Sequence, residues 1–140
     1  MAVLVTVAVP SLKDMIYATR VRTAASDLLQ AVMLARSEAI KRAANVDVVP
    51  AGGGWSDGWS VMVGGVTVET TQAPGNVTID ANVGGNITFR LDGRVSTNVR
   101  TLTVYTTEAT NSVAARCVII DASGRPTIRT DHDGNPGNGC

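Results

Sequence analysis

The sequence predicts an α+β domain in which a long N-terminal α-helix packs against antiparallel β-sheets. Three observations support this prediction. The first 44 residues contain no glycine, whereas all 14 glycines follow them. Apolar residues recur at helical spacing in the first part, and runs with a period of two occupy the second part. Val and Thr, which favour strands, are concentrated in the second part.

Size and charge exclude several classes of protein. The chain has 140 residues, which is the size of one domain, and its 44% hydrophobic and 17% charged residues exclude a disordered chain. Its formal net charge is zero. Six basic and three acidic residues lie in 1–44, against six basic and nine acidic residues in 45–140. Nucleic-acid binding would therefore require a local basic patch.

One apolar stripe predicts the helix. Its members are spaced by three or four residues, which places them on one helical face directed towards a core. They are Val21, Ala25, Leu28, Val32, Ala35 and Ala39. Pro10 is expected either to kink the helix or to begin a second one. We assign the helix to 1–44 and the globular β-rich part to 45–140, packed on the C-terminal half of the helix.

Eight strands are predicted in the second part, where glycine-containing turns separate runs of β-branched and apolar residues. They are 46–49, 59–63, 66–70, 77–81, 87–91, 102–106, 116–121 and 127–130. The pair Gly64-Gly65 predicts a two-residue hairpin, because both glycines can adopt positive φ. Short strands with tight turns favour antiparallel sheets on one face of the helix.

Several segments resemble the type IV minor pilins and type II secretion pseudopilins, and the FimT/GspH-type subgroup in particular. The most specific is Leu-Ala-Arg-Ser-Glu-Ala-Ile-Lys-Arg at 34–42, at the end of the helix. Trp-Ser-Asp-Gly-Trp at 55–59 looks like the entry into the sheet in that group. Two strand-turn units end in Gly-Arg, at 93–94 and 124–125. The resemblance implies a pilin-like fold over nearly the whole chain.

The resemblance also implies a location. Family members begin with a leader, a cleavage site and an apolar stretch containing a glutamate, and this sequence begins within that stretch. We expect 1–10 to be the end of the segment that holds the subunit in the inner membrane and later lies in the filament core. The full-length form would face the periplasm and then reach the pilus surface. The apolar run 2–9 is shorter than the ~20 residues that span a bilayer, so we expect this form to be soluble.

Cys117 and Cys140 are the only cysteines. In a chain that the resemblance places in the periplasm, an even number of cysteines favours a disulfide. Minor pilins often pin their C-terminal region in this way. The alternative is a buried Cys117 and a free terminal thiol at Cys140.

Four arginines are candidates for binding double-stranded DNA. Arg125 and Arg129 lie four residues apart, so the even offset predicts that they share one face, with Arg94 and Arg116 nearby. In family members linked to natural transformation, a Gly-Arg-x-Arg motif is implicated in DNA binding. Here Thr127 stands at the position of the second arginine. The alternative is that these arginines are solvated or ion-paired.

Other residues point to structural roles. Trp55 and Trp59 are interpreted as anchors between sheet and helix in preference to a stacking platform for a carbohydrate. His132 lies in a segment without the glutamate and spacing of an EF-hand, which favours a solvated turn over a calcium site. The sequence offers no partner histidine and no nucleophile with paired carboxylates. We predict no catalytic residue, no metal and no cofactor.

The resemblance therefore predicts a structural subunit. We expect a minor pilin that helps to initiate assembly at the tip of a type IV pilus, with other minor and major pilins or pseudopilins as partners. One alternative is a GspH-type pseudopilin of a type II secretion system. The other is a DNA-binding minor pilin that acts in DNA uptake.

Overall fold

A computed structural model describes residues 5–98, 101–109, 113–131 and 140 of the chain. Within these residues, one helix precedes eight strands. The elements are α1 (Val5–Arg42), β1 (Val46–Ala51), β2 (Gly54–Val63), β3 (Val66–Thr71), β4 (Thr78–Ala81), β5 (Ile87–Phe89), β6 (Thr101–Tyr105), β7 (Arg116–Ile120) and β8 (Pro126–Thr130). The predicted α+β class is confirmed.

Helix α1 is a single element of 38 residues, which corresponds to about 57 Å. It continues through Pro10, so the alternative of a second helix beginning there is wrong. The predicted apolar stripe is buried, with 0–1% exposure for every one of its six side chains. Ala24 and Ala31 widen the buried face. The structure thus places this stripe in the core of its own domain, and not on an outer face that another subunit could contact.

Helix α1 ends in a left-handed residue that is not glycine. Ala43 has a φ of 49°. Its N–H donates to the carbonyl of Ile40 at 3.4 Å, and the N–H of Ala44 donates to the carbonyl of Ala39 at 3.2 Å. These two bonds form a Schellman motif, which satisfies carbonyls that the helix end would otherwise leave unpaired. Lys41 and Arg42 in the last turn interact favourably with the helix dipole.

The strands form two antiparallel four-stranded sheets, with orders β3-β2-β1-β5 and β4-β6-β7-β8. Alternate residues of each sheet face α1 and are buried. The first sheet contributes Val46, Val48, Trp59, Val61, Ile87 and Phe89, and the second contributes Ile79, Leu102, Val104, Val118 and Ile120. A hydrogen bond joins the two sheets. The backbone N–H of Ile79 in β4 donates to Ser56 Oγ in β2 at 2.9 Å.

All eight predicted strands are present, and one needs a substantial correction. The strand predicted at 59–63 begins five residues earlier, as β2, so the segment 54–58 is also part of the strand. A register shift between Pro50 and Ala51 lets β1 and β2 accommodate the extra residues. The predicted two-residue hairpin is confirmed: Gly64 and Gly65 have φ values of 56° and 82°.

The two Gly-Arg turns share one geometry and pack against each other. The N–H of Gly93 donates to Arg90 O at 2.7 Å, and the N–H of Gly124 donates to Asp121 O at 2.9 Å. A Cβ atom at Gly124 would overlap the carbonyl oxygen of Gly93. Glycine at 124 therefore lets the turn after β7 approach the turn after β5, which brings the ends of the two sheets together.

The effect of this close approach can be separated from backbone strain. Gly124 and Gly65 both have a φ of 82°, but a Cβ at Gly65 would meet no atom within 4 Å. Gly65→Ala should therefore lower the free energy of unfolding by about 1 kcal/mol, the cost of left-handed backbone. Gly124→Ala adds a steric clash and should lower it by about 2–4 kcal/mol. Urea denaturation followed by circular dichroism measures both. Equal losses would show that the contact between the two turns does not constrain the fold.

Candidate interaction surfaces

The N-terminal part of α1 presents apolar side chains to solvent. Leu12, Met15 and Ile16 are 61%, 68% and 45% exposed, respectively. Their spacing of three and four residues places them on one side of the helix, where they line a shallow groove of about 250 Å³ with Thr19 and Arg20. We call these three residues the N-terminal apolar face. The first fully buried residue of the stripe, Val21, follows them.

Arg20 attaches the helix to the β-rich body just beyond this face. Its guanidinium donates to the carbonyl of Gly75, in the loop before β4, at 3.1 Å. The same guanidinium lies 6.0 Å from the ring centroid of Tyr17. The helix is therefore fastened to the body at Arg20, and the N-terminal apolar face lies on the N-terminal side of that attachment.

Glu38 organises the other end of the helix. Its side chain is only 11% exposed, and it pairs with Arg42 through a short hydrogen bond from Nε and with Lys41 at 3.8 Å. The hydrogen bond from Arg42 lowers the pKa of Glu38 below its ordinary value, and the charges of Arg42 and Lys41 act in the same direction. The spacing of these three residues within segment 34–42 thus forms an i,i+3 and i,i+4 ion-pair network.

Arg116 and Arg129 lie on opposite faces of the second sheet. Arg116 shares the face of Val118 towards α1, and its Nη1 donates to Thr130 Oγ1 at 2.6 Å. Arg129 pairs in register with Cys117 and so lies on the outer face. Neighbouring residues in a strand point to opposite sides, which accounts for the separation.

Arg94 and Arg125 lie in the two Gly-Arg turns, at the other end of β7 from Arg116. Arg125 donates from Nε to Ser123 Oγ at 3.2 Å and lies 3.6 Å from Asp121. Hydrogen bonds from Ser123 and from the backbone N–H of Arg125 lower the pKa of Asp121. The structure therefore does not gather the four arginines into one patch. Arg125 immediately precedes β8, and its carbonyl accepts a hydrogen bond from the N–H of Asp121 at 3.0 Å. It is Arg116 that lies on the other face of the sheet.

Both tryptophans are core residues. Trp55 and Trp59 in β2 are buried, which supports the anchor interpretation and leaves no ring face for a ligand. The indole N–H of Trp59 has no hydrogen-bond partner among the described residues.

The two cysteines form a disulfide on the outer face of the second sheet. Cys117 is buried in β7, and Cys140 is exposed, with their Cα atoms 6.0 Å apart. The hydroxyl of Thr103, the register partner of Cys117 in β6, lies 3.4 Å from Cys140 Sγ. The disulfide thus ties the last residue of the chain to the middle of a sheet.

Two further titratable groups have shifted pKa values. Tyr105 donates its hydroxyl to Asp80 at 2.7 Å, and this bond raises the pKa of Tyr105. Burial raises the pKa of Asp27 in α1.

His132 lies outside the described residues. Within the described ranges, no three His, Cys, Asp or Glu side chains are grouped as a metal site would require.

Comparison with known families identifies the chain. The sequence profile of a family described as type II transport protein GspH matches residues 24–124. The chain belongs to the GspH family. Comparison with curated protein sequences gave no significant match.

Two solved structures have the same fold as this GspH-family protein. Both are crystal structures of the type IV minor pilin FimU from Pseudomonas aeruginosa. One is 17% identical with a TM-score of 0.67, covering 87% of this chain and 96% of that chain. The other is 18% identical with a TM-score of 0.64, covering 85% and 98%. The resemblance to the minor pilins and GspH-type proteins is confirmed at the level of family and fold.

Sequence reasoning missed the apolar residues on the exposed side of this GspH-family helix. Besides the N-terminal apolar face, Met33 and Ile40 are more than half exposed. Both lie on the otherwise polar side of α1. They are seven residues apart, about two helical turns, so the sequence indicates that they share one side of the helix. The two residues lie outside the buried stripe, which is the stronger periodic pattern of the helix. No described helix is long and apolar enough to cross a membrane.

The Glu38 network should make stability depend on pH. Because the folded-state pKa of Glu38 is lowered, its contribution is present at neutral pH and disappears as pH falls through that pKa. Glu38→Gln should therefore lower Tm at pH 7, and the difference from the native protein should close below about pH 4, where glutamate normally protonates. Thermal melts between pH 2.5 and 7 measure this. Glu108→Gln, at an exposed site, is the control. A difference that does not vary with pH would contradict the role assigned to Glu38.

The disulfide should stabilise the domain by constraining the unfolded chain. Cys117 and Cys140 are separated by 23 residues in sequence. Cys140→Ser should lower the free energy of unfolding by roughly 3 kcal/mol. Dithiothreitol should destabilise the native protein by the same amount and leave the variant unchanged. Equal stability of the two proteins without reductant would show that the bond does not contribute.

Proposed function

We propose that this GspH-family protein is a minor subunit of a type IV pilus that helps to initiate assembly at or near the filament tip. The observation that carries the proposal is the uncovered N-terminal apolar face on a helix whose C-terminal half is buried by its own body. Leu12, Met15 and Ile16 together expose an apolar surface that water hydrates unfavourably. Packing against helices of neighbouring subunits would cover it.

The proposed filament, partners and location are supported by the family and by the fold. The likeness in fold to FimU, a type IV minor pilin, supports membership of a pilus. Other minor and major pilins would be the partners. Before assembly, residues 1–10 would lie in the inner membrane, with the β-rich body in the periplasm. In this role the subunit binds its neighbours and catalyses no reaction.

A second candidate function is supported by the family's description. The matching family is that of type II transport protein GspH, which favours a pseudopilin of a secretion system. The same uncovered helix face would then pack in the short filament of that system. The two candidates differ in the filament and not in the physical role of α1, so one genetic experiment can distinguish them.

That experiment removes the N-terminal apolar face without altering the core. A chromosomal Leu12→Ser, Met15→Ser, Ile16→Ser variant should reduce sheared surface pili at least about tenfold, because each apolar side chain lost from an interface costs about 1.5 kcal/mol or more. Twitching motility should fall with it. The Tm of the purified domain should change little, since the three side chains are exposed.

A matched variant controls for the loss of exposed apolar surface. Val66→Thr, Val68→Thr and Val83→Thr alter side chains that are 69%, 40% and 46% exposed on the β-rich body. This variant should assemble normally. Intact pili with loss of a secreted protein in the helix variant would assign the chain to the secretion system. Normal pili and normal secretion in that variant would refute both candidates.

A further inference from the structure

A second exposed surface lies at the other end of α1, where the helix faces the turn between β7 and β8. It is an open groove of about 580 Å³. One wall is the helix and the other is the start of β8. Its lining includes Met33, Arg36, Ile40, Lys41, Arg125 and Pro126. We call it the helix-turn groove.

The floor of the helix-turn groove is apolar and held in place. Met33 and Ile40 are 56% and 53% exposed, although their neighbours Val32 and Ala39 are fully buried. The Ile40 side chain packs on Gly93, where an added Cβ would lie 2.8 Å from Cδ1. Arg36 donates from Nε to the carbonyl of Gly93 at 3.3 Å. The Gly93 turn therefore holds Ile40 and Arg36 in place beside the groove.

The rim of the groove carries an excess of positive charge. Arg36, Lys41 and Arg125 line it, and none of the described lining residues is acidic. Lys41 lies 3.8 Å from Glu38, but Glu38 is hydrogen-bonded to Arg42. Asp121 lies 3.6 Å from Arg125. The three cations of the lining thus outnumber the two carboxylates near them, so the potential of the groove is positive.

We propose that the helix-turn groove receives a segment of a neighbouring filament subunit that carries a carboxylate beside an apolar side chain. This rests on the proposed function in a filament. The apolar side chain would cover Met33 and Ile40, and the carboxylate would pair with Arg125 or Lys41. Double-stranded DNA fits less well, because its charged phosphates would leave the apolar side chains of Met33 and Ile40 uncovered.

The position of the groove on the helix supports a filament partner. Residues 12, 19, 26, 33 and 40 follow one line along α1, with a drift of about 20° for every seven residues. This line joins Leu12 of the N-terminal apolar face to Met33 and Ile40 over about 32–42 Å. Because the drift adds up to about 60–80° over this length, a partner that crosses α1 at a small angle can contact both surfaces.

Photocrosslinking in pili tests the proposal. Benzoylphenylalanine placed at Met33 or Ile40 should crosslink to another pilus subunit, and mass spectrometry should find Asp or Glu within a few residues of the crosslinked apolar site. The same probe at Val83, exposed to a similar extent but on the body, is the control. Sheared filaments are the sample, so presence of the chain in filaments is measured together with the crosslink.

Charge reversal supplies the matched comparison. Arg125→Glu should reduce the crosslink at Met33 at least about fivefold, in line with the loss of one favourable pair and the gain of a repulsive one. Arg94→Glu alters the equivalent residue of the other Gly-Arg turn, which is not among the groove residues, and should leave the crosslink within about twofold. Changing the identified carboxylate to Lys should restore crosslinking to Arg125→Glu. Melting of each purified domain confirms that it is folded.

Three results would overturn the proposal. They are crosslinking at Met33 and Ile40 no stronger than at Val83, a crosslinked segment without a carboxylate, and crosslinking to nucleic acid. Each of them, with the chain present in filaments, leaves the proposed function intact. Absence of the chain from filaments would overturn the proposed function and this inference together.

Discussion

A four-stranded antiparallel sheet with one apolar face is not stable in water until that face is covered, and in this molecule one helix covers two such sheets. The buried face of α1 is rich in alanine, including Ala24, Ala31 and Ala39. Small side chains let both sheets approach the helix axis closely, while Leu28 and Trp59 fill the larger spaces. Breaking α1 within this region would therefore uncover both sheets at once.

The second constraint is the contact between backbone atoms at the Gly-Arg turns. Gly93 lies between Ile40 of the helix and Gly124 of the other turn. Neither glycine position has room for a side chain, so three separate elements are held at van der Waals distance there. The arginines that follow the glycines are exposed. This explains a Gly-Arg pair physically: the first residue permits packing and the second remains available at the surface.

Most of the fold could be predicted from the sequence because its signals are local. Helical spacing and the absence of glycine indicated α1, and period-two runs indicated every strand. The start of β2 was missed because glycines were expected to separate the strands, whereas Gly54 and Gly58 lie within a strand, with φ values of 113° and 125°. The division into two sheets was not predicted. In the first sheet β1 lies between β2 and β5, and the pairing of β1 with β5, which is distant in sequence, leaves no local signal.

The surfaces were harder to predict than the core for the same reason. Whether Arg116 and Arg129 share a face depends on the register between β7 and β8, which pairs Arg129 with Cys117 and not with Arg116. In a hairpin that register is set by the length and type of the turn, and it cannot be inferred from residue numbers alone. Met33 and Ile40 line a groove only because Arg125 and Pro126 of the second sheet lie opposite them. Their exposure is a property of the assembled domain and not of the helix alone.

The division of α1 into a covered and an uncovered part separates folding from assembly. From Val21 onwards, the apolar stripe is satisfied within the domain, so the free energy of unfolding depends on it before any partner is present. Leu12, Met15 and Ile16 gain little from folding because they remain exposed, and their burial energy is available only to association. A subunit built in this way can fold before assembly and still retain a driving force for it. The same separation explains why substitutions on the two parts of one helix should affect different measurements, since each part buries its apolar surface in a different process.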